Sequence, residues 1–154
     1  MHQKLNIDFR SAKPADIPKI TEMIGNLYAT ENTEFVETDV SNALKELVNN
    51  DRFGAVFLIY YNDNLAGYIS ITAFFSIEFK GETAFIDELY IEEDFRGKGI
   101  GAKAVDFALN YAAGKGYKAL RLEVEHLNQT AQKLYTKKGF IAHNRNIMTK
   151  WLNR

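Results

Sequence analysis

Apolar and polar positions alternate at the start of the chain, with Leu5, Ile7 and Phe9 against polar neighbours, predicting a strand over Leu5 to Arg10. From Pro14 the period changes. Ile17, Ile20, Ile24 and Leu27 recur at the spacing of one helix face, and proline is tolerated in a first turn. Val40, Leu44, Leu47 and Val48 predict a second helix over Thr38 to Asn49. Ala55 to Tyr61 and Leu65 to Phe75 are rich in β-branched and aromatic residues, and Asn62-Asp63-Asn64 between them signals a hairpin. Lys80-Gly81 marks the next turn, and Ala84 to Ile91 reads as a strand. A helical pattern follows from Ile100 to Ala113, ended by Gly114 and Gly116. Tyr117 to Glu125 predicts a strand with Leu120, Leu122 and Val124 on one face. Asn128 to Lys138 predicts a helix stopped by Gly139, and Phe140 to His143 and Ile147 to Leu152 predict two closing strands. The order β-α-α-β-β-β-α-β-α-β-β is that of an α/β fold, a mixed sheet of about seven strands flanked by helices.

Composition narrows the class. A chain of 154 residues, 46% hydrophobic and 25% charged, is long enough for one domain with its own core, expected over 1–154. A net charge of −1 gives no global field for nucleic acid. The absence of cysteine excludes disulfides, thiolate metal sites and a cysteine nucleophile. His2, His126 and His143 are scattered without metal-ligand spacing, so no metal is expected. No apolar run approaches the ~20 residues of a bilayer span, and the first residues lack a secretory apolar core. A cytoplasmic protein without a membrane partner is the expectation.

The candidate chemistry centres on Arg96-Gly97-Lys98-Gly99-Ile100-Gly101, between a predicted strand and a predicted helix. Glycine lets such a turn be tight and lets an anion approach its N–H groups, and the helix N-terminus adds unpaired donors and a positive dipole end. Phosphate or pyrophosphate is the natural ligand. The spacing fits neither a Walker A loop nor a dinucleotide fingerprint. A plain strand-to-helix turn would need the glycines but neither Arg96 nor Lys98.

The same string resembles the Arg/Gln-x-x-Gly-x-Gly/Ala signature of the Gcn5-related N-acetyltransferases (GNAT). Asn128 through Ala131, Leu134-Tyr135 and Gly139-Phe140 resemble a second segment of that family, in the right order and with a fitting order of elements. The resemblance implies a mostly antiparallel sheet with four helices and a pair of strands splayed at an acetyl-CoA cleft. It implies acetyl-CoA as cosubstrate and acetyl transfer to an amine by direct attack. The amides of Gly97 to Gly101, with Arg96 and Lys98 nearby, would hold the pyrophosphate. A β-bulge in the preceding strand would free backbone groups of Leu89, Tyr90 and Ile91 for the pantetheine arm and the thioester carbonyl. Asn128 would bond the pantetheine amides, with Ala131 beside it, and Tyr135 would protonate the departing thiolate. Asn128 also reads as a helix N-cap and Tyr135 as a core aromatic.

An alkyl ammonium must lose a proton before its nitrogen attacks, which calls for a carboxylate with a raised pKa. Asp87 and Glu88 are adjacent on a strand, so alternation points them to opposite faces and only one meets the substrate. Glu88 is the preferred base and Asp87 its rival, with Glu123 in reserve; Arg121, Glu123 and Glu125 also read as one solvated face. Tyr28 to Phe35 reads as a loop between the first two helices. Tyr28, Glu31 and Glu34 there are candidate contacts for a cationic small amine such as a polyamine or amino acid. Phe74, Phe75 and Phe79 read as pocket wall, homodimer contact or core packing. A peptide acceptor, or a CoA-sensing module without catalysis, are the alternatives.

Overall fold

The computed structural model describes residues 6–153. The chain divides into two compact units, Met1–Glu123 and Val124–Arg154, each described here by itself. Leu5, predicted to open the first strand, and His2 lie outside the described residues.

Both faces of the strands in the first unit are apolar, the pattern of a sheet covered on two sides. Strands β1 (Ile7–Ser11), β2 (Gly54–Tyr61), β3 (Asn64–Ser76), β4 (Gly81–Ile91) and β5 (Leu120–Leu122) form one sheet in the order β1-β2-β3-β4-β5. The pairings are antiparallel except β4 with β5, which are parallel. Asn62 and Asp63, both at positive φ (47° and 63°), make the two-residue β2–β3 turn, whose twist matches paired strands.

Helix α3 (Ile100–Gly114) packs on one face, bringing Ile100, Ala104, Ala108 and Ala112 against Phe57, Ile59, Ile69, Ile71 and Ile86. Ala104, Ala108 and Ala112 recur every fourth residue along that face, and Phe107 and Tyr111 beside them pack edge-on against Phe57. Helices α1 (Ile17–Glu31) and α2 (Glu37–Asn49) cover the opposite face, with Ile20, Met23, Ile24 and Leu44 against Val56, Leu58, Tyr68 and Tyr90. A single 3-10 turn at Pro14–Asp16 leads into α1.

In the second unit, helix α4 (Gln129–Lys137) is the regular element. The two predicted closing strands are absent among the described residues, so the sheet has five strands rather than about seven. Ile141, Ile147, Met148, Trp151 and Leu152 are exposed there. Their spacing alternates, but a strand also needs a neighbouring edge to bond, and no ladder includes them. For the same reason β5 stops at Leu122, well short of the predicted Glu125, and Glu123 and Glu125 are exposed outside any strand.

Candidate active site

Strand β4 departs from regular pairing at one point. Ser70 of β3 pairs with Glu88 while its neighbour Ile71 pairs with Ile86, so Asp87 is an extra residue and Asp87 and Glu88 together oppose Ser70. The inserted residue shifts the phase of the strand. Ala84 and Ile86 belong to the α3-side core, whereas Glu88 bonds Tyr68 and Tyr90 packs in the α1-side core. The bulge therefore overturns the opposite-face expectation for the two acids. Both carboxylates act on the Tyr28 phenol of α1.

Glu88 is the centre of this cluster. The Tyr68 hydroxyl donates to its Oε1 at 3.1 Å, and the Tyr28 phenol stands near enough to favour its charged form. Burial is the main force lifting the Glu88 carboxyl above its ordinary value. The Tyr28 phenol pulls it down, the Asp87 charge lifts it, the Tyr68 bond pulls it down and the Glu31 charge lifts it again. Asp87 keeps an exposed surface, yet loss of water around its carboxyl lifts it too. Burial first, and then the neighbouring Glu88, hold both phenols well above the ordinary phenol value, so they stay protonated donors.

Tyr68, only 1% exposed, and Ser70 were not singled out from the sequence. Ser70 is 4% exposed, and its Oγ has no hydrogen-bond partner among the described residues. The available signal was weak: Tyr68 and Ser70 alternate with Ile69 and Ile71, and Thr72 continues the same alternation. Reading it required the β3–β4 register. Tyr28 and Glu31, expected in a loop, lie in the last turn of α1, and Glu34 is exposed in the segment after it. Phe74 and Phe75 are 54% and 69% exposed, which excludes core packing for them. The Arg121 guanidinium lies over the Phe79 ring, 4.3 Å from its centre.

At its other edge β4 separates from β5. Parallel pairing covers residues 84–86 only, so residues 87–91, including Leu89, Tyr90 and Ile91, have no strand partner on that side among the described residues. Past Ile91 the chain makes a 3-10 turn (Glu93–Phe95) and enters the glycine loop. Arg96 Nε donates to the Ile91 carbonyl at 2.9 Å and Lys98 Nζ to the Asp94 carbonyl at 3.2 Å, tying the loop to the strand end. Gly97 and Gly99 have φ of 73° and 77°, and Gly99 is the N-cap of α3 without a side-chain cap. Positive φ explains glycine at those two positions. Gly101 has no such need, and a Cβ there would meet nothing beyond its own stretch of helix within 4 Å.

In the second unit Asn128 caps α4, its Oδ1 accepting from Ala131 N–H at 3.1 Å, as its N-cap reading expects. Gln132 Nε2 donates to the carbonyls of Glu125 and His126 at 2.9 and 2.8 Å and fixes the turn before the helix. Tyr135 is half-buried and meets Phe140 edge-on at 5.7 Å. Burial raises its phenol. Asn128 and Tyr135 are seven residues apart, so they return to nearly the same helix face.

Residues 21–140 match the model of the Acetyltransferase (GNAT) family, and the chain belongs to that family. An uncharacterized N-acetyltransferase of Archaeoglobus fulgidus is 35% identical over 98 residues, which span 63% of this chain and 66% of that relative. The structure of a possible acetyltransferase from Clostridium difficile 630 superposes with a TM-score of 0.83 at 23% identity, covering 96% of this chain and 99% of the other. A predicted acetyltransferase of Clostridium acetobutylicum, solved with acetyl-CoA, superposes with a TM-score of 0.79 at 17% identity, over 94% and 96% of the two chains. At these identities the two structures speak for the fold.

Proposed function

We propose that this chain is a single N-acetyltransferase domain that moves the acetyl group of acetyl-CoA to a small primary amine, a polyamine or amino acid, within a ternary complex. The observation that carries the reading is the bulge of β4. It brings a carboxyl with raised proton affinity next to an unpaired strand edge that leads straight into the glycine loop. Acetyl-CoA supplies the thioester. The amides of Gly97, Gly99, Ile100 and Gly101, with Arg96 and Lys98, hold the pyrophosphate, and backbone groups of Leu89, Tyr90 and Ile91 hold the pantetheine arm and orient the carbonyl. A backbone N–H aimed at the developing oxyanion contributes a few kcal/mol, on the order of 3.

Glu88 accepts the proton that the substrate ammonium must lose. The freed nitrogen then bonds to the carbonyl carbon as the carbon–sulfur bond breaks. Tyr135 gives its proton to the departing sulfur, and Asn128, with Ala131 at its cap, lines the same helix face. Tyr28, Glu31 and Glu34, with Asp87, favour a cationic acceptor. The exposed Phe74, Phe75 and Ile77 at the β3–β4 turn support a homodimer contact, which a monomer in sedimentation at working concentration would remove. The cytoplasm is the expected compartment.

The test is CoA release with polyamines, amino acids, aminoglycosides and peptide N-termini as acceptors. Turnover is expected with a small cationic amine and should drop by about a hundredfold in Glu88→Gln, in the range of general base catalysis. Tyr135→Phe should bind acetyl-CoA normally and turn over more slowly. Tight acetyl-CoA binding with no turnover on any acceptor class would sink the enzyme reading.

A further inference from the structure

A partly buried carboxylate ordinarily takes its hydrogen bonds from backbone N–H groups, lysine or arginine. Glu88 instead takes one from the Tyr68 phenol of β3, and the Tyr28 phenol of α1 stands beside it from the other element. Tyr68 is fully enclosed and its ring leans against Tyr90 at 6.1 Å, while the Tyr28 ring meets Phe35 edge-on at 6.2 Å. Each hydroxyl is therefore held by the packing of its own ring. Both phenols are fixed before any substrate arrives.

We propose that Tyr28 and Tyr68 form a two-phenol clamp that fixes the Glu88 carboxylate and sets the pH at which it begins to accept protons. They are positioning residues, and the inference rests on the reading of Glu88 as the base. The groups facing Glu88 are Tyr28 and Glu31 from α1, Tyr68 from β3 and Asp87 from its own strand. Asp87 and Glu31 oppose its ionisation, as does burial, and the two phenols favour it by stabilising the charged form. The clamp thus offsets what the surroundings do to the carboxyl. Without it Glu88 would stay protonated, and unable to act as a base, further up the pH scale. Phenols suit this task because their own protons do not leave in the working range, so the donors remain in place as the acid titrates.

The experiment is the pH profile of kcat/KM at saturating acetyl-CoA for the wild type, Tyr68→Phe, Tyr28→Phe and Glu88→Gln. Each phenylalanine keeps the ring and removes only the donor. The acid limb should move upward by about one pH unit in each, with roughly tenfold loss of rate on the limb; on the plateau the enclosed Tyr68→Phe should lose little, whereas Tyr28→Phe also loses a substrate contact and is read by its limb alone. A uniform loss at every pH, with the limb unmoved, would mean the tyrosines only fill space and would overturn the clamp. If Glu88→Gln keeps both activity and limb, the base assignment itself falls and the clamp with it. Titrating the Glu88 carboxyl by carbon NMR with 13C-labelled glutamate, in the substrate-free protein, reads the same shift where a variant is too slow to assay. An unchanged titration in Tyr68→Phe would also overturn the proposal.

Discussion

Three acidic side chains gather where the last turn of α1 meets β4, and Asp87 and Glu88 hold their protons more tightly in the folded chain than in the unfolded one. Folding is favoured while those protons are on. Stability from Glu88 is therefore intact below its ordinary value of 4.5 and falls as pH rises from there toward the raised folded value. Glu88→Gln removes that loss. Its melting temperature relative to the wild type should be higher at pH 7.5 and should lose the advantage near pH 4 in parallel thermal melts. A constant difference across that range would show that burial does not perturb the carboxyl. At this scale the sequence was legible only in part. Glu88, Asp87 and Tyr28 could be proposed because acids and aromatic phenols advertise their chemistry. Tyr68 and Ser70 could not, because their importance comes from the strand they face rather than from what they are.

Elements were legible where their own residues decide them. The β2–β3 turn follows from Asn62-Asp63, α3 from the helical pattern that Gly114 and Gly116 end, and the loop before it from its glycines, of which Gly97 and Gly99 take positive φ. The predicted closing strands and the long form of β5 failed because an alternating pattern says which face can be buried and not whether a neighbour is there to bond. The glycine loop offers a test that separates fold from ligand. Gly101→Ala places a methyl group where nothing beyond its own stretch of helix lies within 4 Å. Alanine is favoured over glycine in a helix by about 0.8 kcal/mol, which for a chain of this size is about 2 °C in Tm. The variant should melt slightly higher and bind acetyl-CoA severalfold more weakly by calorimetry. Unchanged affinity would detach Gly101 from the cofactor.

Over the whole molecule, helices flanking a mixed sheet were expected from the order of elements; α3 covers one face and α1 with α2 the other, and the acid cluster sits on the α1 side. The resemblance implied a bulge in this strand; what the pattern could not place was the inserted residue, Asp87. Take Asp87 out, and Glu88 follows Ile86 directly: Ser70 still faces Glu88, Ile71 still faces Ile86, and every side chain of β4 keeps its present side of the sheet. The ladder between β3 and β4 would simply become regular. A deletion of Asp87 should therefore fold, with a Tm within about 3 °C of the parent, a shift below one kcal/mol for this length, while acetyl transfer drops to background. Collapse of the deletion variant would refute the idea. Survival with acetyl transfer lost would make one codon the boundary between an inert scaffold and an enzyme, a distance that lineages can cross in either direction by a single in-frame event.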